Sequence, residues 1–433
     1  MTYFSRHISK QSLAAPILLG NAGYYGTLAA TRSLGRAGIP VITLDPSAIS
    51  PGRYSRYSHA HLRSPPFEQT KRWVEWLLDA RKTLSGSVIY ATSDAVSYAL
   101  AKYHERLSEH YLLFQPGLDT MMCLLDKGQL LDHARAVGID MPETWLPRSR
   151  EEARQIANDV PQNLLVKPRS QLAIGNYVKG ALTQRGANAL IREFDQIVEA
   201  GAHDPDFARS HPEVMLPMLQ VYYPEAVERV YSLSGFRDRS GSKTAVLGAV
   251  KVMQRPRKLG VGLCFEEAPV DQVLASKILA LCERIGYYGA FEAEFIQADN
   301  GFLLIDFNAR FYNQLNFDIA RGLDLPRLIY ASATGQNDTV DALLSSFRSR
   351  EACRNYAFCN SVQFGLITRA RRSFGSMSAE ELRRWRHWCA LPGRTMVDAT
   401  FDVDDYWPYI VDMGNQFFST FRHLRAFLRD CRT

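Results

Sequence analysis

The fold of this chain is decided by the stretch GAFEAEFIQADNGFLLIDFNARF, residues 289–311. Two strand-forming runs flank Asp299-Asn300-Gly301, and an Asn-Gly pair is a strong hairpin signal. Two registers compete at this hairpin. A two-residue Asn-Gly loop would pair Glu294 with Phe307, whereas a three-residue loop with Gly301 in the left-handed conformation would pair Glu294 with Asp306. We favour the three-residue loop, because it brings two carboxylates together on one face.

The favoured register gathers side chains that can bind a metal. Glu294 and Asp306 face each other, and Asn308 lies on the same face, two residues further along the strand. Opposed carboxylates destabilise a sheet unless a cation lies between them, and hard oxygen ligands suit magnesium. A solvated outer face is the alternative, but Asp306 and Asn308 interrupt an otherwise apolar strand, where unpartnered polar groups are unfavourable. Arg310 continues this face and is placed to neutralise a transferring phosphate.

Upstream, residues 16–114 alternate short apolar strands with helical patterns. This alternation predicts a small α/β domain built on a parallel sheet. Gly20, Gly23 and Gly26 follow the first strand. We interpret them as a strand-to-helix turn, because their spacing differs from the G-x-G-x-x-G pattern of a dinucleotide site.

A later strand of this domain, SVIYA, is followed by Thr92, Ser93 and Asp94. Open parallel sheets bind ligands at this end of their strands, so Asp94 is a candidate substrate-binding residue. The competing interpretation is a helix N-cap by Ser93 or Asp94, and we favour it.

The middle of the chain mixes helices with antiparallel strands, which is typical of an α+β arrangement. The patterns predict one amphipathic helix over 119–137, strands over 162–168, 215–223, 228–236 and 244–255, and a helix over 271–286. From about residue 336 onward the chain is rich in arginine and aromatic residues and has helical periodicity.

The C-terminal tail has an apolar stripe at helical spacing that includes Phe417, Phe418, Phe421, Leu424, Phe427 and Leu428. Arginines accompany it at positions 422, 425, 429 and 432. One hypothesis is an interfacial helix that lies on an anionic membrane. The other is a helix packed on the protein core with its arginines in water, and we favour this second hypothesis.

The spacing of Glu294, Asp306, Asn308 and Arg310 resembles the signature strand of the ATP-grasp superfamily. Asp306 stands where that superfamily more often has glutamate. The resemblance implies an ATP-grasp domain over 119–335, with a lid at about 160–225. It also implies an N-terminal α/β domain over 1–118 and a C-terminal helical extension over 336–433.

The resemblance also assigns residues to ATP and to catalysis. Lys127 and Lys167 would be the two ATP lysines, Gln220 and Tyr222 would lie near the adenine in the hinge LQVYYP, and Glu228 would lie near the ribose. Arg255 and Arg310 would act on the γ-phosphate or the acyl phosphate. The superfamily's phosphate loop after Lys167 reads PRSQLAIGNYVKG in this chain and holds few glycines.

The implied activity is an ATP-dependent carboxylate–amine ligase that forms an amide through an acyl phosphate. ATP is then a substrate, two magnesium ions (or manganese in their place) are the cofactors, and the partners are a small carboxylate and a small amine. From PILLG to about residue 335 the chain is most similar to the D-aspartate ligase type. Alternatives are an ATP-grasp carboxylase acting on bicarbonate, a nucleotide-binding regulator without catalysis and, with the weakest support, a dehydrogenase.

Composition sets the remaining expectations. Apolar residues make up 46% of the chain and charged residues 22%, as in soluble globular proteins. No apolar run reaches the roughly 20 residues of a membrane span, so we expect a cytoplasmic protein. The net charge of +6 suits anionic substrates, but it is too diffuse for nucleic acid. The seven cysteines form no C-x-x-C pair and are expected to be reduced thiols. A homo-oligomer stays an open alternative.

Overall fold

Three β-sheets organise the chain in the computed structural model. The structure describes the following residues: 14–160, 162–174, 181–182, 186–200, 204–257, 260–299, 301–350 and 355–432. The six described cysteines carry free thiols, as expected, and Cys353 lies outside the described residues. Within the described residues, no helix is long and apolar enough to cross a membrane.

The N-terminal sheet has five parallel strands in the order β3-β2-β1-β4-β5, which confirms the predicted α/β arrangement. Its strands are β1 Ile17–Leu19, β2 Val41–Asp45, β3 Ser58–Arg63, β4 Val88–Tyr90 and β5 Leu112–Leu113. Its helices are α1 Tyr25–Arg36, α2 Thr70–Leu84, α3 Asp94–Lys102 and α4 His104–Ser108. Sequence analysis missed the edge strand β3, because its segment SHAHLR is polar and half exposed.

The predicted single helix over 119–137 is two helices, α5 Leu118–Leu125 and α6 Lys127–Ala136. The break lies at Asp126, whose backbone is extended and whose carboxylate accepts a hydrogen bond from the Gly128 N–H. Asp126 is therefore the N-cap of α6, and Lys127 occupies the first position of that helix.

The second sheet is antiparallel, has four strands in the order β6-β9-β7-β8 and lies within and beside the predicted lid. Its strands are β6 Thr144–Trp145, β7 Leu164–Lys167, β8 Ala181–Leu182 and β9 Met218–Val221. The accompanying helices are α7 Arg150–Asp159, α8 Gln171–Ile174, α9 Ala187–Glu199 and α10 Pro205–Ser210. Residues 175–180 of the predicted phosphate loop lie outside the described residues.

The third sheet has seven strands in the order β14-β13-β10-β11-β12-β15-β16 and carries the hairpin of residues 289–308. Its strands are β10 Val230–Arg237, β11 Thr244–Arg255, β12 Val261–Ala268, β13 Gly289–Ala298, β14 Gly301–Asn308, β15 Tyr356–Cys359 and β16 Thr395–Asp398. Helix α11, Gln272–Ile285, packs on it and ends at Gly286, which adopts the left-handed conformation that favours glycine.

Two of these strands come from the predicted C-terminal extension, which is therefore helical with a strand contribution. β15 pairs with β12 and then with β16, so the extension widens the central sheet. The helices after the hairpin are α12 Leu315–Ala320, α13 Leu325–Ala333, α14 Asn337–Arg348, α15 Ser361–Ser373, α16 Ala379–Cys389, α17 Trp407–Arg422 and α18 Leu424–Arg432.

The hairpin register confirms the pairing of Glu294 with Asp306, but the predicted cause of that pairing is wrong. Ala298 pairs with Gly301, so two residues separate the strands instead of three. The register shifts immediately after Glu294, where Phe295 pairs with Leu304 and Ile305 is the extra residue. The bulge adds one residue to β14, as the longer loop would have added one to the turn. This extra residue brings the carboxylates of Glu294 and Asp306 onto the same face.

The favoured packing of the tail on the core is wrong for α17 and right for α18. Phe417, Phe418 and Phe421 on α17 are exposed, whereas Phe427 on α18 is buried in a small core cluster. The reason is that the inward face of α17 is polar. Its Asp412 is buried and hydrogen-bonded to the hydroxyl of Tyr25, which leaves the apolar stripe on the outward face.

Candidate active site

A cavity of about 400 Å³ lies where the three sheets meet. Its walls come from the turn after β1, the start of α3, the start of α6, the end of β7 and the β13–β14 hairpin. The charged side chains that line it are Asp94, Lys127, Lys167, Lys251, Glu292, Glu294, Asp306 and Arg310. Positive and negative groups therefore converge on one cavity from elements distant in sequence.

The acids come from alternate positions of the hairpin. Glu294 lies opposite Asp306, and Glu292 lies opposite Asn308 in the same antiparallel pairing. Because side chains alternate across a strand, these four groups share the face that lines the cavity. The structure thus brings the three predicted metal ligands together and adds Glu292 to them.

Two lysines neutralise the paired carboxylates. The Lys127 ammonium lies 2.5 Å from an Asp306 carboxylate oxygen, and the Lys251 ammonium lies 3.0 Å from a Glu294 carboxylate oxygen. Burial lowers the pKa of Lys127, but the carboxylates of Asp306, Asp94 and Glu294 together outweigh burial, so the pKa is raised overall and Lys127 stays charged. In this structure the two lysines supply the positive charge beside the carboxylates. A bound metal ion would bring positive charge to the same carboxylates, and a bound nucleotide would bring negative charge to the lysines.

Glu292 is the most buried acid of the cluster, at 3% exposure. Its carboxylate accepts hydrogen bonds from Asn308 at 3.0 Å, from Ser232 at 3.2 Å and from Gln314. Burial, with a further contribution from Glu294, raises its pKa to about 8. The sequence analysis missed Glu292, although its position two residues before Glu294 places both carboxylates on one face.

Arg310 joins the hairpin to the N-terminal domain. Its guanidinium lies 2.5 Å from an Asp94 carboxylate oxygen and donates to the Asn308 side-chain oxygen at 2.7 Å. The neighbouring Ser93 caps α3 by accepting a hydrogen bond from the Val96 N–H, so the cap interpretation holds for Ser93. The Asp94 carboxylate faces the cavity, and its substrate role stays a prediction.

On the lid side, Lys167 lines the cavity from the end of β7. Its ammonium lies 3.2 Å from the side-chain oxygen of Gln220, whose amide donates to the Thr144 hydroxyl at 3.0 Å. Gln220 itself is buried behind this contact and does not line the cavity. It therefore positions Lys167 in this structure, and its contact with adenine stays a prediction.

Three other predicted residues also lie outside the cavity lining. Tyr222 is half-buried on the hinge and donates its N–H to the Asn163 carbonyl. Glu228 is exposed and lies 3.7 Å from Arg257. Arg255 lies over the Phe427 ring, with its guanidinium carbon 5.1 Å from the ring centroid. Their roles toward ATP and catalysis stay predictions.

Lys251 is a site residue that the sequence analysis passed over. It lies in the apolar strand β11, is 4% exposed and lines the cavity beside Glu294. A lysine inside a strand that otherwise reads TAVLGAVKVMQR is the signal that identifies it, because a buried ammonium needs an acidic partner.

The chemistry of the donors fits magnesium, which takes carboxylate and amide oxygens. Among the described residues, no group of three His, Cys, Asp or Glu side chains is close enough to hold a metal alone. Glu294 and Asp306 supply two carboxylates, and the third predicted donor is the Asn308 amide oxygen, which accepts from Arg310. Metal binding at this face would replace the lysine and arginine contacts that these oxygens now make.

Comparisons with known proteins bear on the fold. No protein-family model matches the chain, and no curated protein sequence matches it. Among solved structures, biotin carboxylase from Campylobacter jejuni in a β,γ-ATP complex has 15% identity and a TM-score of 0.58, over 74% of this chain and 71% of that chain. N5-carboxyaminoimidazole ribonucleotide synthetase from Thermus thermophilus has 16% identity and a TM-score of 0.55, over 74% of this chain and 78% of that chain.

A third solved structure is the biotin carboxylase domain dimer of Hydrogenobacter thermophilus 2-oxoglutarate carboxylase, in complex with MgADP, ADP and bicarbonate. It has 15% identity and a TM-score of 0.57, over 75% of this chain and 70% of that chain. These neighbours are ATP-grasp enzymes, and the likeness shows that the chain has the ATP-grasp fold with its preceding α/β domain.

Proposed function

We propose that the chain is an ATP-dependent carboxylate–amine ligase. A substrate carboxylate oxygen attacks the γ-phosphorus of ATP, the bond to ADP breaks, and an acyl phosphate forms. The amine nitrogen then attacks the acyl carbon, phosphate leaves, the amine releases a proton, and an amide results. The observation that carries this proposal is the single cavity in which hairpin acids meet Lys127, Lys167 and Arg310.

Such a reaction depends on position and charge more than on a nucleophile of the protein. Lys127 lines the cavity from the start of α6 and Lys167 lines it from the end of β7, which suits contacts with the phosphates of ATP. We propose that three residues hold the adenosine: Gln220 within β9, Tyr222 directly after β9, and Glu228 further along the chain. Closure of the lid onto bound ATP would bring them against the nucleotide.

We propose Glu294, Asp306 and Asn308 as the ligands of magnesium, or of manganese in its place. The metal would supply neutralising charge at the β- and γ-phosphates. When these oxygens take a metal, Lys127 and Lys251 lose their partners and become available to anions, which suits simultaneous binding of metal and nucleotide.

Arg310 and Arg255 are proposed to stabilise the charge of the transferring phosphate, and Asp94 to contact the substrate. Arg310 is already held at the cavity by Asp94 and Asn308, so it is preorganised for this role. Arg255 lies at the end of β11 and would have to leave Phe427 to act there. The sequence resemblance to the D-aspartate ligase type supports an amino acid as one of the two substrates.

A second candidate function is carboxylation with bicarbonate as the carboxylate. It is favoured by the structural neighbour solved with MgADP and bicarbonate. Both candidates share ATP and an acyl phosphate, and they differ in the molecule that is phosphorylated. The third alternative, a regulator without catalysis, predicts nucleotide binding with no phosphate release.

One experiment separates the three. Purified protein, ATP and magnesium are incubated with pooled amino acids, with pooled amines and carboxylates, or with bicarbonate, and phosphate release is measured beside product mass. Release that requires a carboxylate and an amine supports the ligase, and release that requires bicarbonate supports the carboxylase. ATP binding by calorimetry without release in any pool contradicts both enzymes and supports the regulator.

A further inference from the structure

An exposed apolar stripe runs along nearly the whole length of the outward face of α17. Its members are Trp407, Ile410, Met413, Phe417, Phe418, Phe421 and, just beyond the helix, Leu424. Phe418 is 73% exposed and Phe421 is 63% exposed, so these are large side chains left in water. The helix has 16 residues and is about 24 Å long. Exposed apolar side chains along this length form a patch that is far larger than the apolar surface of isolated exposed residues.

The helix is held in this orientation by buried polar groups on its inner face. Asp412 is 3% exposed and accepts from the Tyr25 hydroxyl, which also accepts a hydrogen bond from the Gln416 amide. Just before the helix, the buried Asp405 forms an ion pair with the buried Arg32 of α1 at 2.9 Å. Rotation of α17 to bury its apolar stripe would break these contacts, so the exposure is built into the fold.

Charge around the stripe is predominantly positive. At the C-terminal end, Arg422 and Arg425 are exposed. At the N-terminal end, the turn Pro51–Tyr54 packs against α17, and Arg53 and Arg56 beside it are exposed. The acids in this region are the buried Asp412, the buried Asp405, which is ion-paired with Arg32, the exposed Asp404, and Asp402, which is ion-paired with Arg36.

From these observations we infer that α17 docks the protein onto an anionic lipid surface. An aromatic-rich apolar face flanked by arginines is the composition of helices that lie in the membrane interface, where rings enter the headgroup region and arginines meet phosphates. A second copy of this chain fits the surface less well. Antiparallel pairing of two α17 helices would bring the arginines of one end toward the arginines of the other end.

The docking helix is also connected to the cavity. Tyr25, which hydrogen-bonds Asp412 and Gln416, lines the cavity beside Gly23 and Tyr24. The cavity wall therefore touches the inner face of the helix whose outer face would rest on lipid. This placement suits a substrate that is delivered at a membrane surface, and the docking itself does not depend on the proposed reaction.

The test compares binding to vesicles with and without anionic lipid. Full-length protein is sedimented with vesicles of phosphatidylcholine alone and with vesicles of equal parts phosphatidylcholine and phosphatidylglycerol, at low and high salt. We expect binding to the anionic vesicles that weakens with salt, and little binding to the neutral ones. The triple variant F417S/F418S/F421S should lose binding by about tenfold or more, because three rings no longer leave water.

Two further variants sharpen the test. R422Q/R425Q should weaken binding to anionic vesicles and reduce its salt dependence. V273S is the matched control, since Val273 is 67% exposed on helix α11 and is not part of the stripe, and its binding should equal that of the parent protein. Unchanged melting temperatures establish that the serine variants fold, as expected for exposed positions.

The inference is overturned if the parent protein does not bind anionic vesicles, or if the triple variant binds as well as the parent does. A concentration-dependent dimer in analytical ultracentrifugation that disappears in the triple variant, without vesicle binding, overturns it in favour of self-association. Equal loss of binding in V273S also overturns it, because the effect would then not belong to α17.

Discussion

Lys127 and Asp306 lie 179 residues apart in the sequence and form an ion pair of 2.5 Å across the cavity. The pair ties the first residue of α6 to the C-terminal part of β14. It holds together one predicted ATP contact and one predicted metal ligand. This relationship allows the structural and the functional contributions of the two side chains to be separated.

We expect Asp306→Asn to reduce ligase turnover by about 100-fold or more, because a proposed metal ligand and its charge are lost. The variant should also lose about 1–2 kcal/mol of unfolding free energy, since the buried Lys127 ammonium loses its carboxylate. Adding Lys127→Met should restore much of the stability but none of the activity. Activity that returns with stability would show that Asp306 acts only through the fold.

Glu292 gives the site a dependence on pH that can be measured without substrate. Its pKa is raised from 4.5 to about 8 by burial and by Glu294. Between these values the folded protein keeps a proton that the unfolded chain has lost, so the free energy of unfolding falls as pH rises. The contribution of this one group is at most about 1.4 kcal/mol per pH unit.

We therefore expect Glu292→Gln to flatten the decline of the melting temperature between about pH 5 and about pH 8, with a chelator present. The exposed Glu283→Gln on α11 is the control and should leave the slope unchanged. An undiminished slope in Glu292→Gln would mean that another group carries the pH dependence.

The contact between Arg310 and Asp94 predicts that arginine cannot be replaced by lysine. Arg310 donates to Asp94, to Asn308 and to the Phe311 carbonyl through different guanidinium nitrogens, which one ammonium cannot reproduce. We expect Arg310→Lys to lower kcat by about 100-fold, with a smaller change in the KM for ATP.

The matched control is Arg150→Lys, which alters an exposed ion pair with Asp195, and neither residue lines the cavity. It should leave kcat and stability nearly unchanged, because solvent screens an exposed ion pair. A loss of activity in Arg310→Lys that is matched by a loss of secondary structure would contradict a specific role for the guanidinium.

The hairpin was predictable from sequence because its signals are local. The Asn-Gly pair, Glu294 and Asp306 all lie within one stretch of sequence. Side chains alternate between the two faces of a strand, and this alternation alone places acids on one face. The bulge at Ile305 was not predictable, since it depends on how β14 packs rather than on a turn residue. The ion pair of Lys251 with Glu294 joins β11 to β13, which are separated by β10 in the sheet, and no local pattern specifies it.

The C-terminal tail, in contrast, has a feature that local sequence signals do not specify. Its apolar stripe was visible in the sequence, but the direction in which the stripe faces was not. That direction is set by Asp412 and Gln416, whose partner Tyr25 lies almost four hundred residues earlier in the chain. Periodicity identifies an apolar face, and only the long-range polar contacts of the other face decide whether it is buried.

Helix α1 closely approaches the segment between β14 and α12, which lines the cavity. A Cβ added at Gly26 would lie 2.3 Å from the carbonyl oxygen of Tyr312, which is a backbone atom that cannot rotate away. We expect Gly26→Ala to destabilise the protein by about 1–3 kcal/mol, because the N-terminal domain must move away from the cavity wall. Gly365→Ala is the control, since Gly365 is also helical and has nothing within 4 Å of an added Cβ. That control should be neutral or stabilising by about 0.4–1 kcal/mol. Chemical denaturation of both variants measures the difference, and equal stability of the two would show that α1 does not hold the cavity wall in place.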